Sequence, residues 1–304
     1  MSGNKIKLLV LSGPTGSGKS ELAVRIAEKI GAEIVNADSM QVYRGLDIGT
    51  AKPSAQELAR VPHHLLGIVS PETNFTASDF RREAAAAITD IDSRGKKAIV
   101  VGGTGLYIRA LLDGLVDSPD GDPELRLQFA DLPGEELLRR LATVDPETAD
   151  RLHPNDRPRL IRALEVYSQT GRPISAFRSE HAFSGSYYVP LKMAIKVERQ
   201  ELYRRINLRV EQMLQDGLVA EVAAQLALGY SRDLKALRCI GYKEISAFLA
   251  GEIALDEAVS LIKRDTRRYA KRQMTWFGKE NDIYWLEYPE SFATILEHVI
   301  EFFG

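Results

Sequence analysis

The sequence predicts an α/β fold, a P-loop parallel sheet flanked by helices, with an α-helical insertion domain. The first indication is a strand, loop and helix unit that carries GPTGSGKS at Gly13–Ser20. The second is the alternation of apolar strands and helices over the first third of the chain, because such alternation is typical of parallel sheets with crossover helices. The third is a change to purely helical patterns after a segment rich in Asp, Pro and Gly, which indicates an insertion.

The elements of the first third have recognisable ends. One helix follows the P-loop and ends at Gly31, and another begins where Thr76 and Asp79 match a capping box and ends at Gly95. The apolar runs between them are short enough to be buried strands. The predicted order is strand Lys7–Leu11, helix Ser20–Lys29, strand Glu33–Ala37, helix through Ala84–Ala87 and strand Ala98–Val101.

The insertion follows a linker. Residues Asp113–Pro123 read DGLVDSPDGDP, a composition typical of a linker, and a strand at Tyr187–Val197 returns the chain to the sheet. We therefore assign residues 1–115 and 187–304 to the catalytic core and residues 116–186 to a helical insertion, and we expect the C-terminal third to be mostly helical. The helices predicted in the insertion are Glu124–Ala130, Glu135–Ala142 and Pro158–Thr170, the last ended by Gly171.

Composition is that of an ordinary globular protein. The chain has 304 residues, 44% hydrophobic and 27% charged, with a formal net charge of −2, so any nucleic-acid role must rest on local basic patches. The single cysteine, Cys239, excludes a disulfide framework within the chain and fits a cytoplasmic location. No apolar run approaches the roughly 20 residues that span a bilayer. We therefore expect no membrane association, and nothing in the sequence indicates an obligatory protein partner.

The segment Gly13–Ser20 meets the pattern G-x-x-x-x-G-K-[ST] in full. Its glycines let backbone N–H groups surround phosphate oxygens, and the start of the following helix adds partial positive charge. Lys19 reaches the phosphates in such loops, and the hydroxyl of Ser20 binds Mg²⁺, which we expect as the cofactor. The predicted phosphate-binding residues are Gly13, Pro14, Thr15, Gly16, Ser17, Gly18, Lys19 and Ser20.

Two polar residues follow other strands of the predicted sheet. Asp38 closes the second strand, on the edge where ligands bind in open α/β sheets, and is a general base, an outer-sphere magnesium ligand or a helix cap. Thr104 closes the third strand after Gly102 and Gly103, which allow the backbone to approach a ligand; its hydroxyl donates to a leaving oxygen or caps the next helix. The third strand lacks the acid that holds Mg²⁺ in typical NTPases, which argues against ATP or GTP hydrolysis.

Basic residues cluster in three places. The clusters are Arg157, Arg159 and Arg162; Arg204, Arg205 and Arg209; and Arg264, Arg267, Arg268 and Lys271. A charged helix face is usually solvated, but the third cluster carries almost no acid apart from Asp265, so phosphate contacts are there an equally good explanation. In KRDTRRYAKRQMTWF, a helix would place an apolar stripe, interrupted by Gln273, opposite the basic residues. The stripe consists of Val259, Ile262, Thr266, Tyr269 and Trp276.

The adjacent His63 and His64 point in different directions, so we expect a structural role rather than a metal site.

Taken together, the motifs resemble those of the bacterial tRNA dimethylallyltransferases, also called tRNA isopentenyltransferases. The resemblance extends from Val10 to Trp276. It implies transfer of a dimethylallyl group from dimethylallyl diphosphate to N6 of adenosine 37, in the anticodon stem-loop of tRNA. It also implies a P-loop that binds diphosphate without hydrolysing ATP. The matching segments are GPTGSGKS, NADSMQVYRGLDIGTAKP, VGGTGLY, HPNDRPRLIRALEV, RCIGYKE and RYAKRQMTWF.

The resemblance implies roles for individual residues. Asp38 takes the position of the catalytic aspartate that accepts the amine proton, and Thr104 that of a threonine that donates to the bridging oxygen. Lys19 and Arg209, the latter in a segment similar to the family pattern RIxxRxxxM, stabilise the departing diphosphate. The residues implied to contact tRNA are Asp38, Ser39, Met40, Gln41, Thr104, Arg126, Arg159, Arg162, Arg238, Lys243, Lys271 and Arg272.

Two other functions compete with this one. A P-loop small-molecule kinase would use the loop for ATP and Asp38 to activate a hydroxyl, but it leaves the insertion arginines and the GTAKP segment unexplained. A non-catalytic RNA-binding protein with a nucleotide-sensing loop leaves Asp38 and Thr104 without a chemical role. ATP turnover with a small acceptor would favour the kinase, and saturable RNA binding without product would favour the binding protein.

Overall fold

The computed structural model describes residues 5–115, 118–180, 187–289 and 292–304. The chain divides into two compact units, one formed by Met1–Leu112 and Tyr187–Gly304 and the other by Asp113–Ser186. We call them the core unit and the insertion unit. The predicted boundary at residue 116 lies outside the described residues.

The core unit contains a six-stranded parallel sheet, which confirms the predicted α/β class. Its strands are β1 (Ile6–Ser12), β2 (Ala32–Asn36), β3 (His63–His64), β4 (Lys97–Gly102), β5 (Tyr188–Ile195) and β6 (Tyr284–Leu286). Their order across the sheet is β3-β2-β4-β1-β5-β6. β1 is central, since Leu9 lies beside Ile99 on one side and Leu191 on the other. Burial on both faces explains its continuous apolar run.

The sequence pattern does not predict β3 and β6. They are the edge strands and have only two and three residues, too few to show an alternation of apolar and polar side chains. In β3, Nε2 of His64 lies 2.8 Å from Oε2 of Glu33, and Nδ1 of His63 lies 2.8 Å from the carbonyl oxygen of Val61. Both histidines thus bond to protein groups at the sheet edge.

Helices flank the sheet and end near the predicted signals. At the start of the third helix, the N–H of Thr76 donates to Asp79 at 3.0 Å and the N–H of Asp79 donates to Thr76 at 3.2 Å, which confirms the capping box. Within the described residues, none of the helices combines the length and apolar content that a membrane span requires. The helices of the core unit are α1 (Lys19–Ile30), α2 (Ala55–Arg60), α3 (Ala77–Ser93), α4 (Gly105–Asp113), α10 (Arg199–Gln215), α11 (Leu218–Ala227), α12 (Tyr242–Leu249), α13 (Leu255–Phe277) and α14 (Phe292–Phe303). Those of the insertion unit are α5 (Pro123–Ala130), α6 (Gly134–Val144), α7 (Pro146–Ala149), α8 (Arg157–Thr170) and α9 (Ile174–Glu180).

Apolar residues fill both faces of the sheet. Leu8 and Val10 of β1 belong to a cluster with residues of α3 and α12, whereas Leu9 and Leu11 belong to a second cluster with residues of α1 and α14. Successive side chains of a strand point to opposite faces, so one strand contributes to both layers. The insertion unit has a separate core, whose buried residues are Leu137, Leu141, Ala149, Leu160, Ala163 and Leu164.

The paired glycines after β4 are required by contacts within the protein. A Cβ atom on Gly102 would lie 2.1 Å from the carbonyl oxygen of Ala37, and one on Gly103 would lie 2.1 Å from Nε2 of Gln273. The close approach that these glycines permit is therefore to the end of β2 and to α13. That they also bring the backbone close to a ligand stays a prediction.

Replacing Gly102 by alanine should destabilise the core unit strongly. The added Cβ would meet the backbone of Ala37, which no side-chain rotation can relieve. Overpacking of this kind typically costs about 1–3 kcal/mol, so we expect a loss of about 3 kcal/mol in the free energy of unfolding, measured by urea denaturation. Gly251→Ala is the control, because its φ is 72° and nothing lies within 4 Å of an added Cβ. Gly251→Ala should therefore lose only the free energy of unfolding that alanine requires at a positive φ, about 1 kcal/mol. Equal losses in the two variants would contradict the prediction.

Candidate active site

One cavity of about 310 Å³ collects residues from the carboxyl ends of β1 and β2 and from the helices α10 and α13. The carboxyl ends of parallel strands meet at one edge of a sheet, and ligands of open α/β sheets bind there. Lys19, Asp38, Arg209 and Tyr269 line this cavity, so the structure brings together three of the four predicted catalytic residues. Its apolar lining includes Ile206, Val210, Met213 and Ile262.

The P-loop depends on its glycines. Gly13, Gly16 and Gly18 have φ angles of 143°, 81° and 92°, a region that residues with a Cβ rarely adopt. Gly18 precedes α1 and provides no side-chain cap for it. The first N–H groups of a helix have no acceptor within the helix, so the start of α1 is left open for a ligand.

Two N–H groups of the loop are already occupied. That of Thr15 donates to Oε1 of Gln273 at 2.9 Å, and that of Ser17 donates to the carbonyl oxygen of Pro14 at 3.3 Å. The loop N–H groups that have no protein acceptor among the described residues are those of Gly13, Gly16, Gly18, Lys19 and Ser20. These five, rather than that of Thr15, are the backbone donors left for an anion.

Lys19 is half-buried and points back across the loop. Its ammonium donates to the carbonyl oxygen of Pro14 at 3.3 Å. Burial lowers the pKa of Lys19 to about 8; Asp38 opposes this shift and Arg209 adds to it. Lys19 is therefore still mostly protonated at pH 7, but it is closer to losing its proton than an ordinary lysine.

Arg209 faces two cavities. It lines the first cavity and also a second one of about 640 Å³, which contains Ser20. Arg209 is exposed to solvent, although nearby protein atoms lower its pKa. Its neighbours Arg204 and Arg205 are both paired with Glu201, at 2.7 Å each, whereas Arg209 has no ion pair in the described part of the chain. An accessible cation without a counter-ion is available to bind an anion.

Asp38 caps the turn that follows β2. Its Oδ1 accepts hydrogen bonds from the N–H groups of Met40 at 2.8 Å and Gln41 at 3.3 Å. Among the described residues, both hydrogen bonds of Asp38 end on Oδ1, so Oδ2 is available to a ligand in the cavity. The cap and the general base, considered as alternatives from the sequence, are therefore compatible because each uses a different oxygen.

Thr104 does not cap the helix that follows it. Its Oγ1 accepts from the N–H of Ser39 at 3.1 Å, and the hydroxyl of Tyr269 lies within hydrogen-bonding reach of Thr104. Burial raises the pKa of Tyr269 to about 12. Thr104 itself does not line the cavity. It contacts Ser39 and Tyr269, and both of these residues line the cavity. Because its oxygen accepts from Ser39, its own O–H remains a donor.

Glu221 on α11 holds the GTAKP segment in place. Its Oε2 accepts from the N–H groups of Asp47 and Ile48 at 3.0 and 2.8 Å, and its Oε1 accepts from the N–H of Gly49 at 3.1 Å. The hydroxyl of Tyr242 donates to the same Oε1. A carboxylate that accepts several hydrogen bonds forms charge-assisted contacts, so this segment is fixed without regular secondary structure.

Gln41 connects that segment to the Asp38 turn. Its Nε2 donates to the carbonyl oxygens of Thr50 and Ala51, at 3.0 Å each. Ala51 has a φ of 52°, which is unusual for a residue with a Cβ. Both amide protons of Gln41 are thus used within the protein, and its Oε1 has no partner among the described residues.

Other predicted tRNA contacts of the core unit lie around the cavity. Arg238 lines it, whereas Lys271 and Arg272 are exposed on α13. Lys243 lies 3.4 Å from Asp265. The structure thus brings Arg238 to the site and leaves the other three basic residues outside it.

In the insertion unit, two of the predicted arginines share one buried carboxylate. Nε of Arg126 lies 2.9 Å from Oε1 of Glu165, and Nη1 of Arg162 lies 2.5 Å from Oε2. The Glu165 side chain is fully buried. Arg159, in contrast, is exposed and pairs with Asp156 at 3.0 Å. Arg159 is therefore free to meet a ligand, whereas Arg162 also neutralises a buried charge.

The donors near the P-loop fit a magnesium ion bound with a diphosphate. The exposed hydroxyl of Ser20 lines the second cavity. Among the described residues, no group of three or more His, Cys, Asp and Glu could hold a metal ion. The ion would therefore depend on Ser20 and on phosphate oxygens of the ligand, an arrangement that Mg²⁺ favours.

The single cysteine also lines the first cavity. Burial raises the pKa of the Cys239 thiol to about 12. A thiol with so high a pKa is protonated at neutral pH, so it contributes to the cavity as a small, neutral side chain.

The fold and the site define a P-loop protein of the α/β class, with an anion site beside a carboxylate in a partly apolar cavity. A family model described as IPP transferase matches residues 41–280. The chain belongs to this IPP transferase family.

Individual relatives agree with this assignment. The chain is 80% identical to tRNA dimethylallyltransferase 1 of Citrifermentans bemidjiense, over 98% of this chain and 97% of the relative. It is 69% identical to tRNA dimethylallyltransferase 2 of Geotalea uraniireducens, over 99% and 98%. Among solved structures, a tRNA isopentenylpyrophosphate transferase of Bacillus halodurans matches with a TM-score of 0.74 at 37% identity, over 98% of this chain and 97% of that one. A eukaryotic dimethylallyltransferase acting on tRNA matches with a TM-score of 0.78 at 33% identity, over 93% and 74%.

Sequence reasoning missed two residues that hold the site together. Gln273 was visible only as an interruption of the apolar stripe on α13, yet it is 5% exposed and hydrogen-bonded at both ends of its amide. Glu221 is the only charged residue in the helix LVAEVAAQLA. In both helices, a polar residue within an otherwise apolar pattern was the available signal.

The lowered pKa of Lys19 predicts a pH limit on anion binding. The free ammonium is charged below a pH of about 8 and loses its charge above it, and a bound anion stabilises the charged form. The association constant for a diphosphate monoester, whose last proton leaves at a pH of about 6, should be highest below pH 8. It should then fall by up to about tenfold per pH unit, measured by titration calorimetry.

Lys19→Arg is the matched control for this limit. Arginine stays charged over the whole range, so the fall above pH 8 should disappear even if the affinity at neutral pH is lower. A fall of the same size in the variant would assign the titration to another group.

Proposed function

We propose that this enzyme transfers the dimethylallyl group of dimethylallyl diphosphate to N6 of adenosine 37 in the anticodon stem-loop of tRNA and releases diphosphate. The observation that carries the proposal is one cavity that holds two cations, Lys19 and Arg209, and the Oδ2 of Asp38. In the part of the chain that the structure describes, neither cation has an ion-pair partner and this oxygen accepts no hydrogen bond. Relatives named for dimethylallyl transfer to tRNA support it. Because tRNA is the acceptor, we also propose that the enzyme acts in the cytoplasm.

The diphosphate half of the cavity suits the leaving group. As the bond between the allylic carbon and the bridging oxygen breaks, the carbon gains positive character and negative charge grows on the diphosphate. The open loop N–H groups, Lys19 and Arg209 would stabilise that charge, and the O–H of Thr104 would donate to the bridging oxygen. Mg²⁺, held by Ser20 and diphosphate oxygens, would supply further neutralisation. The apolar lining would surround the dimethylallyl group.

The other half of the cavity suits the acceptor amine. The N6 lone pair is delocalised into the adenine ring, so attack on the allylic carbon needs a base that takes the amine proton. Oδ2 of Asp38 would accept that proton, while the N–H groups of Met40 and Gln41 hold Oδ1 in place. Adenosine 37 must leave its stack to enter the cavity. Flipping is comparatively inexpensive there because the anticodon loop is single-stranded.

Basic residues outside the cavity would bind the tRNA backbone. On the core unit these are Arg238, Lys243, Lys271 and Arg272, and on the insertion unit they include Arg126, Arg159 and Arg162. Phosphate contacts of this kind position an RNA without specifying its sequence.

Mass spectrometry of tRNA after incubation with the protein, Mg²⁺ and dimethylallyl diphosphate tests the proposal. We expect one added dimethylallyl group per tRNA, located at adenosine 37, and negligible ATP hydrolysis. Robust ATP turnover that the prenyl donor does not affect would favour a kinase. Saturable tRNA binding without any product would favour an RNA-binding protein.

Asp38→Asn should distinguish the role of Asp38 as a cap of the turn from its role as a general base. Asparagine keeps an Oδ1 acceptor for the N–H groups of Met40 and Gln41, but it cannot take a proton. We expect the single-turnover transfer rate to fall by about 10²–10⁴, with melting temperature and tRNA affinity near those of the wild type. A variant that transfers at more than about a tenth of the wild-type rate would remove Asp38 from the mechanism.

Arg159→Ala should weaken tRNA binding without affecting the fold. Arg159 is exposed, and its surface pair with Asp156 contributes little stability. Loss of one phosphate contact should reduce the log–log salt slope of tRNA binding by about 0.7–0.9, while KM for the prenyl donor stays constant. Arg151→Ala, another exposed and paired arginine of the insertion unit, is the control. An unaltered salt slope in Arg159→Ala would show that Arg159 is a solvated charge that makes no phosphate contact with tRNA.

Arg162→Ala should affect stability as well as binding. Its removal leaves the buried Glu165 with Arg126 as its remaining ion-pair partner, and a partly uncompensated buried charge is destabilising. We expect a lower melting temperature in this variant and not in Arg159→Ala, measured by scanning calorimetry. Equal melting temperatures would contradict the shared-carboxylate interpretation.

A further inference from the structure

We propose that Gln273 is a positioning residue that fixes the P-loop relative to the end of β4. It would thereby fix the diphosphate donors relative to Thr104, so this inference rests on the proposed function. Gln273 lies on α13, lines the first cavity and is 5% exposed.

The amide of Gln273 bridges two loops that are distant in sequence. Its Oε1 accepts from the N–H of Thr15 at 2.9 Å, and its Nε2 donates to the carbonyl oxygen of Gly103 at 2.9 Å. Thr15 belongs to the loop that would bind diphosphate, and Gly103 directly precedes the hydroxyl that would donate to the bridging oxygen. The planar amide of Gln273 thus sets the distance between the P-loop and Thr104, both of which would stabilise the leaving diphosphate.

The surroundings fix which way the amide faces. An N–H stands at the Thr15 end and a carbonyl oxygen at the Gly103 end, so the bridge needs one acceptor and one donor, which an amide provides. A Cβ on Gly103 would lie 2.1 Å from Nε2, so the contact uses the space that a side chain at position 103 would occupy. One turn further along α13, Trp276 lies against Gly105 in the same way.

The bridge also withholds one donor from the anion. Because the Thr15 N–H is bonded to Gln273, the diphosphate would be left to the later N–H groups of the loop. Lys271 and Arg272, expected to contact tRNA, immediately precede Gln273 on α13. The same helix therefore carries expected tRNA contacts and the side chain that holds the P-loop.

Gln273→Met tests the inference because it removes both hydrogen bonds to the backbone, together with the polar contact to the Tyr269 hydroxyl, while nearly preserving volume. We expect kcat to fall by about tenfold to a hundredfold, as misplacement of reacting groups by about 1 Å can do, with an increased KM for the prenyl donor. The Kd for tRNA should stay within about twofold, since the exposed basic residues are unchanged. The matched control is Gln225→Met. Gln225 is also buried and donates to a backbone carbonyl oxygen, that of Gly45 at 3.1 Å, but it does not line the cavity.

Both variants should lose some thermal stability, and only Gln273→Met should lose transfer activity. If kcat and donor KM of Gln273→Met match those of Gln225→Met at a temperature where both are folded, the role is merely structural and the inference fails.

The affinity for inorganic pyrophosphate with Mg²⁺, measured by titration calorimetry, gives a readout that does not depend on transfer. This affinity should decrease several-fold in Gln273→Met and stay unchanged in Gln225→Met. A wild-type chain that binds pyrophosphate but never modifies tRNA would count against the proposed function, and unchanged pyrophosphate binding in Gln273→Met would count against this inference.

Gln273→Glu adds a pH profile that a structural role would not produce. The ionised carboxylate can accept from Thr15 but cannot donate to Gly103, whereas the protonated acid offers one acceptor and one donor and restores the wild-type pattern. The ratio of variant to wild-type kcat should therefore rise as the pH is lowered through the titration of this carboxyl group. Gln225→Glu should give no such rise in kcat, and a flat ratio for Gln273→Glu would overturn the inference.

Discussion

Lys19 and Arg209 share one cavity without an ion-pair partner for either in the described part of the chain. Burial lowers the pKa of Lys19, so its charge is held at a cost in free energy that an anion would offset, whereas Arg209 is exposed at the same cavity. Neighbouring arginines on α10 are neutralised by Glu201, which leaves Arg209 as the cation that faces the P-loop. Two cations therefore lie beside the carboxylate of Asp38 in one cavity, an arrangement that could accept an anion without a rearrangement of charges.

The loops around this charge are shaped by side-chain acceptors. Glu221 accepts three consecutive backbone N–H groups, Asp38 accepts two, and Gln273 accepts one from the P-loop. Unpaired backbone groups are expensive to bury, so these polar side chains determine which loop conformations are stable. The same arrangement leaves Oδ2 of Asp38 and the later N–H groups of the P-loop open toward the cavity.

The sequence was sufficient for the fold class, the order of the main elements and the P-loop, because strand and helix periodicities and glycine spacing are local signals. It also placed Asp38 at the ligand edge, since strand ends can be located from apolar runs. It could not show that one carboxylate both caps a turn and faces the cavity, because the two oxygens are distinguished only by their partners. Nor could it find the partners of Gln273, which lie 258 and 170 residues away. The predicted linker is likewise attached to the insertion unit, as the N–H of Asp122 donates to Glu165 at 2.6 Å.

The position of Cys239 has a consequence for how the enzyme meets oxidative stress. The thiolate is the form that reacts with peroxides, disulfides and alkylating agents, and burial raises the pKa of the Cys239 thiol to about 12, so the thiolate is a minor form at neutral pH. The chain has no second cysteine with which to form an internal disulfide. A sulfur atom can therefore line the cavity as a protonated thiol, the form that is slow to oxidise.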